Sequence, residues 1–471
     1  METTQEGEEE RECETIEEEE EEDDEPPLFP ETKAKGQVVF DPPYNLLKYP
    51  KKYKRDDMGA LSGWVGYIVL GALLVGFSWI TYSPEAPEWA GERFLLQCYI
   101  SSARMTGLLS LAVPYLTGFK VSQVDILRWT TELFFSNYIP DNDVWVGVSD
   151  ATFDGVPVKI FRPRAAKSDS PAVVYIHGGG WTLLSADSYS ATTYYMAWKL
   201  NVVVVSIDYR LAPEHPYPAP FEDCLKATVH FLRKAVKHDV DPNRIAIAGD
   251  SAGGNLAAAL ALKLSQDKTY SDLPRLKFQV LIYPVTQMLD LNTYSYTEFA
   301  HTGHLRKEVM LQMIINYLGF PELQDYIDQF ASNNHTSPRL KNSVFGSYVR
   351  HENLPEEFRV KGFKTVGENM GNETLAAKIE SRLTDPYFAP LMAPDLSKVP
   401  PVYMILAQND PLRDDGLFYA QRLKKAGVKT EIDFHKTMAH GFCLLTPASL
   451  LTFQGGKDAY DTLGGYVQKN L

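Results

Sequence analysis

The chain has 471 residues, of which 44% are hydrophobic and 12% aromatic, a composition that excludes a fibrous protein and a wholly disordered one. The net charge of −15 is carried by the first 25 residues, which contain 16 acidic side chains and one arginine; the rest of the chain has 45 basic and 45 acidic residues. Without a basic excess to neutralise phosphates, the folded part is not expected to bind nucleic acid.

Residues 1–57 are predicted to form a disordered cytoplasmic tail. The acidic block Glu17–Glu22 lies in this segment, and five prolines follow between positions 26 and 43. Such a sequence buries too little apolar surface to offset the entropy of the unfolded chain. We interpret it as a solvated tail; recruitment of a basic partner is the alternative.

Residues 58–84 are predicted to form a transmembrane signal-anchor helix. They contain no charged side chain, and Trp64, Trp79 and Tyr82 lie toward the two ends. This length crosses a bilayer, and aromatic side chains favour both interfaces. A buried core helix and a cleaved signal peptide are the alternatives, but the apolar stretch is long for either and begins far from the N-terminus.

The charges that flank this segment predict its orientation. Arg93 alone follows it closely, whereas the basic residues that precede it are Lys48, Lys51, Lys52, Lys54 and Arg55. The positive-inside rule then places the N-terminus in the cytoplasm and the large C-terminal part in the lumen. We expect a single-pass type II protein of the endoplasmic reticulum membrane, with glycosylation at the sequons of Asn334 and Asn372.

Residues 85–140 are predicted to form N-terminal cap helices. The apolar stretch 94–119 is interrupted by Gln97, Arg104 and Pro114, which argues against a second membrane span. Two interpretations remain open. The helices either cover the functional site of the following domain and dip into the membrane interface, or form an ordinary buried helix pair.

Residues 141–471 are predicted to form one α/β domain. Short runs rich in valine and isoleucine alternate with helical segments, a pattern typical of a mostly parallel, doubly wound sheet. The strands are predicted at 144–148, 156–161, 172–176, 202–207, 244–248, 278–283, 402–406 and 430–434. This rhythm stops at about 290–394, where helical pieces such as 307–318 and 373–383 indicate a cap insertion.

The most informative motif is Ile245–Gly254, which reads I-A-I-A-G-D-S-A-G-G and leads into a helix rich in alanine and leucine. A strand, a tight turn and a helix are the context of a nucleophile elbow. Gly249 and Gly253 flank Ser251 because a Cβ at either position would collide with the neighbouring strand or helix. The sequence therefore predicts Ser251 as a nucleophile.

A serine nucleophile needs a base and an orienting carboxylate, and in this type of fold they follow the serine in the order acid, then histidine. Asp410 lies directly after the strand 402–406, whereas Asp414 and Asp415 fall later and are interpreted as first-turn helix charges. His440 lies in a loop before a glycine, whereas His435 ends a strand. We predict Asp410 as the acid and His440 as the base.

An oxyanion hole is predicted at the H-G-G-G-W loop after the third strand. Backbone N–H groups of Gly178, Gly179 and Gly180 can approach an acyl carbonyl because no side chain intervenes, and Ala252 after the nucleophile supplies another. No cysteine or histidine cluster has metal-ligand spacing, and no nucleotide-binding loop is present, so neither a metal nor a cofactor is expected. Cys224 is interpreted as a buried free thiol. A Cys98–Cys443 bridge stays open, although nothing in the spacing supports it.

Five motifs in this order resemble the hormone-sensitive-lipase-like α/β hydrolases. They are H-G-G-G-W at 177–181, D-Y-R-L-A-P-E at 208–214, G-D-S-A-G-G at 249–254, D-P-L-R-D at 410–414 and H-G-F at 440–442. With the N-terminal anchor, the chain is most similar to the arylacetamide deacetylase and neutral cholesteryl ester hydrolase branch. The acidic tail and the pair Gln408–Asn409 depart from the pattern of that branch.

This resemblance implies an α/β-hydrolase fold with a helical cap and supports the same three site residues. It implies an oxyanion hole formed chiefly by Gly179 and Gly180 with Ala252, and a structural role for Arg210 and Glu214 as buried support.

We therefore expect a membrane-anchored serine hydrolase that cleaves carboxylic esters of lipophilic substrates, either lipid esters or aryl esters and amides, through an acyl-enzyme. A catalytically inactive binding or receptor module is the alternative. The oligomeric state is open.

Overall fold

The computed structural model describes residues 92–117, 123–135, 144–301, 305–364, 370–446, 449 and 452–471. The predicted tail at 1–57 and the predicted transmembrane helix at 58–84 lie outside these residues. Within the described ranges, no helix combines the length and the apolar character that crossing a membrane requires.

The centre of the described chain is an eight-stranded sheet in the order β1-β2-β4-β3-β5-β6-β7-β8. The first two strands run antiparallel to their neighbours, and the remaining pairs are parallel. The strands are β1 Val146–Phe153, β2 Val156–Pro163, β3 Ser170–Ile176, β4 Val203–Ile207, β5 Val240–Asp250, β6 Gln279–Ile282, β7 Val402–Asn409 and β8 Thr430–Ala439. The predicted α/β class with a mostly parallel sheet is confirmed.

Both faces of the sheet are covered, which explains the continuous valine and isoleucine runs. Along β3, Ala172, Val174 and Ile176 belong to one hydrophobic core, while Val173 and Tyr175 belong to the core on the other face. Each fully buried valine or isoleucine among them contributes about 1.5–3 kcal/mol. The helices between and after the strands are α3 Ser190–Leu200, α4 Ala219–Lys234, α5 Ala252–Gln266, α12 Arg413–Lys425 and α13 Gln454–Asn470.

Two helices precede the sheet. The first, α1, spans Arg93–Thr117, and the second, α2, spans Gln123–Phe135. The apolar stretch that the sequence showed as interrupted is thus one helix, and the described part of its buried face includes Leu96, Tyr99 and Ile100. This face packs into the same core as β8 and α13.

Between β6 and β7 the described residues form an insertion of short helices. They are α6 Tyr294–Glu298, α7 Lys307–Leu318, α8 Ile327–Ala331, α9 Pro338–Lys341, α10 Val344–Tyr348 and α11 Glu373–Leu383. Aromatic stacking joins the insertion to the loop after β3, because the Trp181 ring lies 4.2 Å from that of Tyr317, which lies 5.0 Å from that of Phe388. The insertion therefore packs beside the carboxyl ends of the strands.

Candidate active site

Ser251 lies in the sharp turn between β5 and α5. Its φ of 54° and ψ of −120° fall outside the usual regions for a residue with a side chain, as a strained elbow requires. A Cβ at Gly249 would overlap the carbonyl of Gly253, and a Cβ at Gly253 would overlap the carbonyl of Ile176. Glycine at these two positions lets strand and helix approach closely enough to present the serine.

The structure brings Ser251, His440 and Asp410 together from the ends of three strands. His440 Nδ1 lies 2.8 Å from Asp410 Oδ2, and His440 Nε2 lies 3.1 Å from Ser251 Oγ. Because a carboxylate only accepts, Nδ1 carries the hydrogen and Nε2 accepts from the serine hydroxyl. Asp410 is fully buried and its second oxygen accepts the Leu412 N–H at 2.8 Å, which fixes the carboxylate toward the imidazole.

The competing residues lie elsewhere. His435 is within β8, with Nε2 3.3 Å from Asp433 Oδ1. Asp414 and Asp415 do begin α12, but they are completely buried rather than ordinary helix-end charges. Asp414 accepts from Arg413 at 2.9 Å and from the Ser295 N–H at 2.9 Å. Their interpretation as simple first-turn charges was therefore incomplete, since burial against the insertion makes them part of its attachment.

The predicted oxyanion loop divides into two parts. The Gly178 N–H lies 3.0 Å from both Asp250 Oδ1 and the Tyr189 hydroxyl, so it is already engaged and does not face an acyl oxygen. Gly179 and Gly180 adopt φ values of 97° and 60°, and among the described residues their N–H groups have no protein acceptor. Ala252 is the first residue of α5, where backbone N–H groups lack helical partners. Three N–H groups thus remain for an oxyanion.

Asp250 is a site residue that the sequence reasoning missed, although it stands in the elbow motif itself. It accepts from the Tyr175 hydroxyl at 2.8 Å and from the Tyr189 hydroxyl at 2.7 Å, besides the Gly178 N–H. Burial raises the pKa of Asp250 to about 6, because its effect is larger than that of these hydrogen bonds, which lower the pKa. The side chain links the nucleophile elbow to the first residue of the oxyanion loop.

A small apolar cleft opens beside the imidazole. Met313 of α7 lies so close to Gly180 that a Cβ at Gly180 would overlap its thioether. The cleft is lined by Leu96, Tyr99, Thr437, Met438, Ala439, His440, Phe442 and Phe453. Hydrophobic side chains of α1 and β8 therefore lie beside His440, and Met313 of the insertion lies beside Gly180.

Arg210 and Glu214 were expected to be buried support, and this is wrong for both. Arg210 is 45% exposed and forms a bidentate pair with Asp223, and Glu214 is 48% exposed and pairs with Arg128 of α2. Both residues do hold backbone segments together, but they do so from the surface. Sequence alone could not show this, because the partner of Glu214 is 86 residues away.

Of the predicted glycosylation sites, both asparagines are partly buried and lie next to each other, since the Asn372 N–H donates to Asn334 O at 2.8 Å. Asn372 Oδ1 also caps α11 by accepting the Leu375 N–H.

Cys98, Cys224 and Cys443 are free thiols. In the described part of the chain, no three histidine, cysteine, aspartate or glutamate side chains are grouped so that they could hold a metal ion.

Comparison with known proteins agrees with this geometry. A family profile for the alpha/beta hydrolase fold matches residues 173–343 and 351–444, more than half of the chain. Neutral cholesterol ester hydrolase 1 of Bos taurus is 39% identical over 335 residues, which are 69% of this chain and 81% of that protein. Arylacetamide deacetylase of Bos taurus is 36% identical over 390 residues, 80% of this chain and 94% of that protein.

Among solved structures, the chain is similar to EstE1, a thermophilic carboxylesterase cloned from a metagenomic library. The identity is 28% and the TM-score 0.54, and the match covers 74% of this chain and 97% of that one. The resemblance predicted from the five motifs is confirmed.

Proposed function

Because the chain belongs to the α/β-hydrolase-fold family, and is a carboxylesterase- and lipase-like hydrolase, we propose that Ser251, His440 and Asp410 are its catalytic residues. The observation that carries this proposal is the continuous hydrogen-bonded series from Ser251 Oγ through the imidazole to the buried carboxylate. This arrangement activates a hydroxyl that is otherwise a weak nucleophile.

In the acylation step, Ser251 Oγ attacks the ester carbonyl carbon while His440 Nε2 takes the hydroxyl proton. Asp410 keeps the imidazole in the required tautomer and stabilises the imidazolium. The negative charge that develops on the carbonyl oxygen is stabilised by the N–H groups of Gly179, Gly180 and Ala252. As the tetrahedral intermediate collapses, the imidazolium gives its proton to the departing alkoxide, and the acyl group stays on Ser251.

Deacylation repeats these steps with water as the nucleophile. His440 takes a proton from a water molecule while the water oxygen attacks the acyl carbon. As this second tetrahedral intermediate collapses, Ser251 Oγ leaves and takes back the proton from the imidazolium. The carboxylic acid and the free enzyme result. Removal of one oxyanion donor costs about 10²–10³ in turnover in comparable enzymes, so the three N–H groups account for a large part of the rate.

We propose lipophilic esters as substrates, with aryl amides as a second class. The apolar cleft beside His440 and the side chains of α1 and α7 favour such substrates over charged ones. The names of the two similar Bos taurus proteins point to a sterol ester and to an aryl amide respectively. A charged, water-soluble ester preferred over a long-chain ester would contradict this part of the proposal.

The experiment that tests the reaction is fluorophosphonate labelling of membranes that contain the wild type or Ser251→Ala. We expect labelling of the wild type alone, and a loss of turnover in the variant of about 10⁶. Turnover of p-nitrophenyl acetate and of a long-chain ester, measured in parallel, indicates the preferred acyl chain.

Ser265→Ala is the matched control, because Ser265 lies on α5, the helix that follows Ser251, and its hydroxyl donates to the Leu262 carbonyl. It should keep wild-type labelling. A folded wild type that is neither labelled nor active would overturn the hydrolase proposal in favour of an inactive binding module.

We also propose that residues 58–84 anchor the chain in the endoplasmic reticulum membrane, with the catalytic domain lumenal. The uncharged stretch and the basic residues before it support this orientation. Full-length protein should stay in the membrane after carbonate extraction, whereas Leu70→Arg with Leu74→Arg should release it. A shift in gel mobility on glycosidase treatment, abolished by Asn334→Gln with Asn372→Gln, would place the domain in the lumen; protein that carries no glycan would contradict it.

A further inference from the structure

The loop that follows β3 has a strained backbone. Gly179, Gly180, Trp181 and Leu184 have φ values of 97°, 60°, 56° and 69°. The left-handed region is uncommon for tryptophan and leucine, and such conformations persist only where the surroundings hold them. The shape of this loop therefore depends on contacts with other elements.

The second helix, α2, makes such a contact through Arg128. Its Nε donates to the Thr182 carbonyl at 2.8 Å, and its Nη2 donates to the Ala212 carbonyl at 2.8 Å. The same guanidinium forms a bidentate pair with Glu214, at 2.9 and 2.7 Å. Because the Ala212 N–H donates to Trp181 O at 2.8 Å, the arginine fixes two backbone segments that are already hydrogen-bonded to each other.

Thr182 connects this arginine to the oxyanion donors. Its N–H donates to Gly179 O at 3.1 Å, and its hydroxyl donates to Gly180 O at 3.1 Å. The Gly179 carbonyl and the Gly180 N–H belong to one rigid peptide plane, so the direction of the carbonyl sets the direction of the N–H. Whatever holds Thr182 therefore orients an N–H that the reaction needs.

We propose that Arg128 is a positioning residue for ester hydrolysis, which holds the Gly179–Gly180 peptide plane toward the oxyanion by fixing Thr182 and Ala212. The inference rests on the proposed function. A second contact from α2 to the same loop supports it, since the Ser185 hydroxyl donates to Glu132 Oε1 at 3.0 Å. The N-terminal helix pair then contributes to the reaction itself as well as covering the site.

The ion pair between Arg128 and Glu214 should affect turnover more clearly than folding stability. The side chains of Arg128 and Glu214 are 22% and 48% exposed, and ion pairs of this kind contribute little to folding stability. A small displacement of catalytic groups, in contrast, changes rate strongly. Loss of Arg128 should therefore lower turnover strongly and change Tm little.

The test uses the full-length, detergent-solubilised protein as wild type, Arg128→Ala and Arg128→Lys. Exhaustive fluorophosphonate labelling gives the concentration of reactive serine, and p-nitrophenyl acetate hydrolysis is expressed per labelled site. We expect kcat per site to fall by about tenfold to a hundredfold in Arg128→Ala, with KM close to the wild-type value. The lysine, which keeps the charge but not the planar fork, should be intermediate.

Thr131→Val is the matched control, because Thr131 lies on the same helix and its hydroxyl donates to the carbonyls of Leu127 and Arg128 in that helix's own backbone. It should keep wild-type turnover. Wild-type kcat per labelled site in Arg128→Ala would overturn the proposal, as would fewer labelled sites with unchanged turnover at each, since that pattern indicates a purely structural role. A wild type without ester turnover would instead refute the proposed function.

If Arg128→Ala does not fold, Arg128→Lys decides the question. The ammonium keeps the charge and the aliphatic stem, but it cannot donate to the Thr182 and Ala212 carbonyls from a planar fork. A loss of several-fold in kcat per labelled site would support the proposal, and unchanged turnover would overturn it.

Discussion

At the scale of single residues, Asp250 is the buried acidic side chain that directly precedes Ser251, the proposed nucleophile. Its three partners, the hydroxyls of Tyr175 and Tyr189 and the N–H of Gly178, are all donors, so the ionised carboxylate satisfies them. A protonated carboxyl would place a fourth hydrogen among them and release one contact. The protonation state of Asp250 is thereby coupled to the position of the loop 178–180, which is proposed to supply the oxyanion donors.

This coupling predicts an acid limb in the pH profile. Burial raises the pKa of Asp250 to about 6, so the carboxylate should be lost as pH falls through this value. We expect kcat for p-nitrophenyl acetate to fall below about pH 6.

Asp250→Asn should lower kcat by about tenfold to a hundredfold, because the amide cannot accept from all the donors, and it should change the acid limb near pH 6, because the amide does not titrate. Tyr189→Phe, which removes one donor, should have a smaller effect on kcat. An acid limb that is the same in Asp250→Asn and in the wild type would show that Asp250 does not control the reaction.

The two glycines of the oxyanion loop should differ in their tolerance of alanine. At Gly179 a Cβ would overlap the backbone carbonyl of Leu183, whereas at Gly180 it would overlap the flexible end of Met313. We expect Gly179→Ala to lose about 10²–10³ in kcat, and Gly180→Ala to be partly restored by Met313→Ala. Steady-state kinetics of the four variants, including Met313→Ala alone, test this; equal losses that no second change restores would contradict it.

At the scale of elements, the N-terminus of α12 attaches the insertion to the sheet. Arg413 lies 5.4–5.7 Å from the ring centres of Tyr294, Phe299 and Phe358, all in the insertion. Asp415 accepts from Gln287 Nε2 at 2.8 Å and from the Thr286 N–H at 3.2 Å. Because α12 starts three residues after Asp410, the insertion and the Asp410 carboxylate share one support.

This attachment predicts a dependence of stability on pH. Burial raises the pKa of Asp415 to about 8, whereas an aspartate in the unfolded chain titrates near about 4. The folded protein therefore binds this proton more tightly, so the stabilisation is fully present below about pH 4 and is lost as pH rises through 8. A change of 1 kcal/mol moves Tm by about 2–4 °C in a large domain, so we expect Tm to fall by several degrees between pH 5 and 8.

Asp415→Asn should flatten this part of the curve, because the amide does not titrate. Asp272→Asn, at an exposed position, should leave the wild-type slope in place. Thermal unfolding of the three proteins across this pH range is the measurement. Parallel curves for wild type and Asp415→Asn would show that Asp415 does not titrate in this window.

At the scale of the whole molecule, the described fold relies on packing rather than on covalent cross-links. Burial raises the pKa of Cys98, Cys224 and Cys443, so the thiols are poorly reactive in the native state. We predict that all three are alkylated when the protein is denatured without reductant, and that reductant leaves Tm unchanged. Mass spectrometry of the alkylated peptides provides the check, and recovery of a Cys98–Cys443 bridge would contradict the structure.

The sequence by itself determined the strand pattern and the location of the elbow. Strands buried on both faces leave continuous valine and isoleucine runs, and a turn as tight as that at Ser251 leaves glycines at positions where a Cβ does not fit. Asp410 and His440 were found because each follows a strand whose carboxyl end lies at the same edge of a parallel sheet. These signals are local, or depend only on the order of elements.

Only the tertiary structure decided which polar groups are buried and which already have a hydrogen-bond partner within the protein. It assigned the Gly178 N–H to Asp250, buried Asp414 and Asp415, left Arg210 exposed, and brought Arg128 to the oxyanion loop. Each of these facts joins segments that are distant in the chain. The physical reason is that the burial of a side chain and its hydrogen-bond partners depend on which elements pack together. The periodicity of apolar residues in the sequence indicates which face of a helix or strand is buried, but not which element packs against that face.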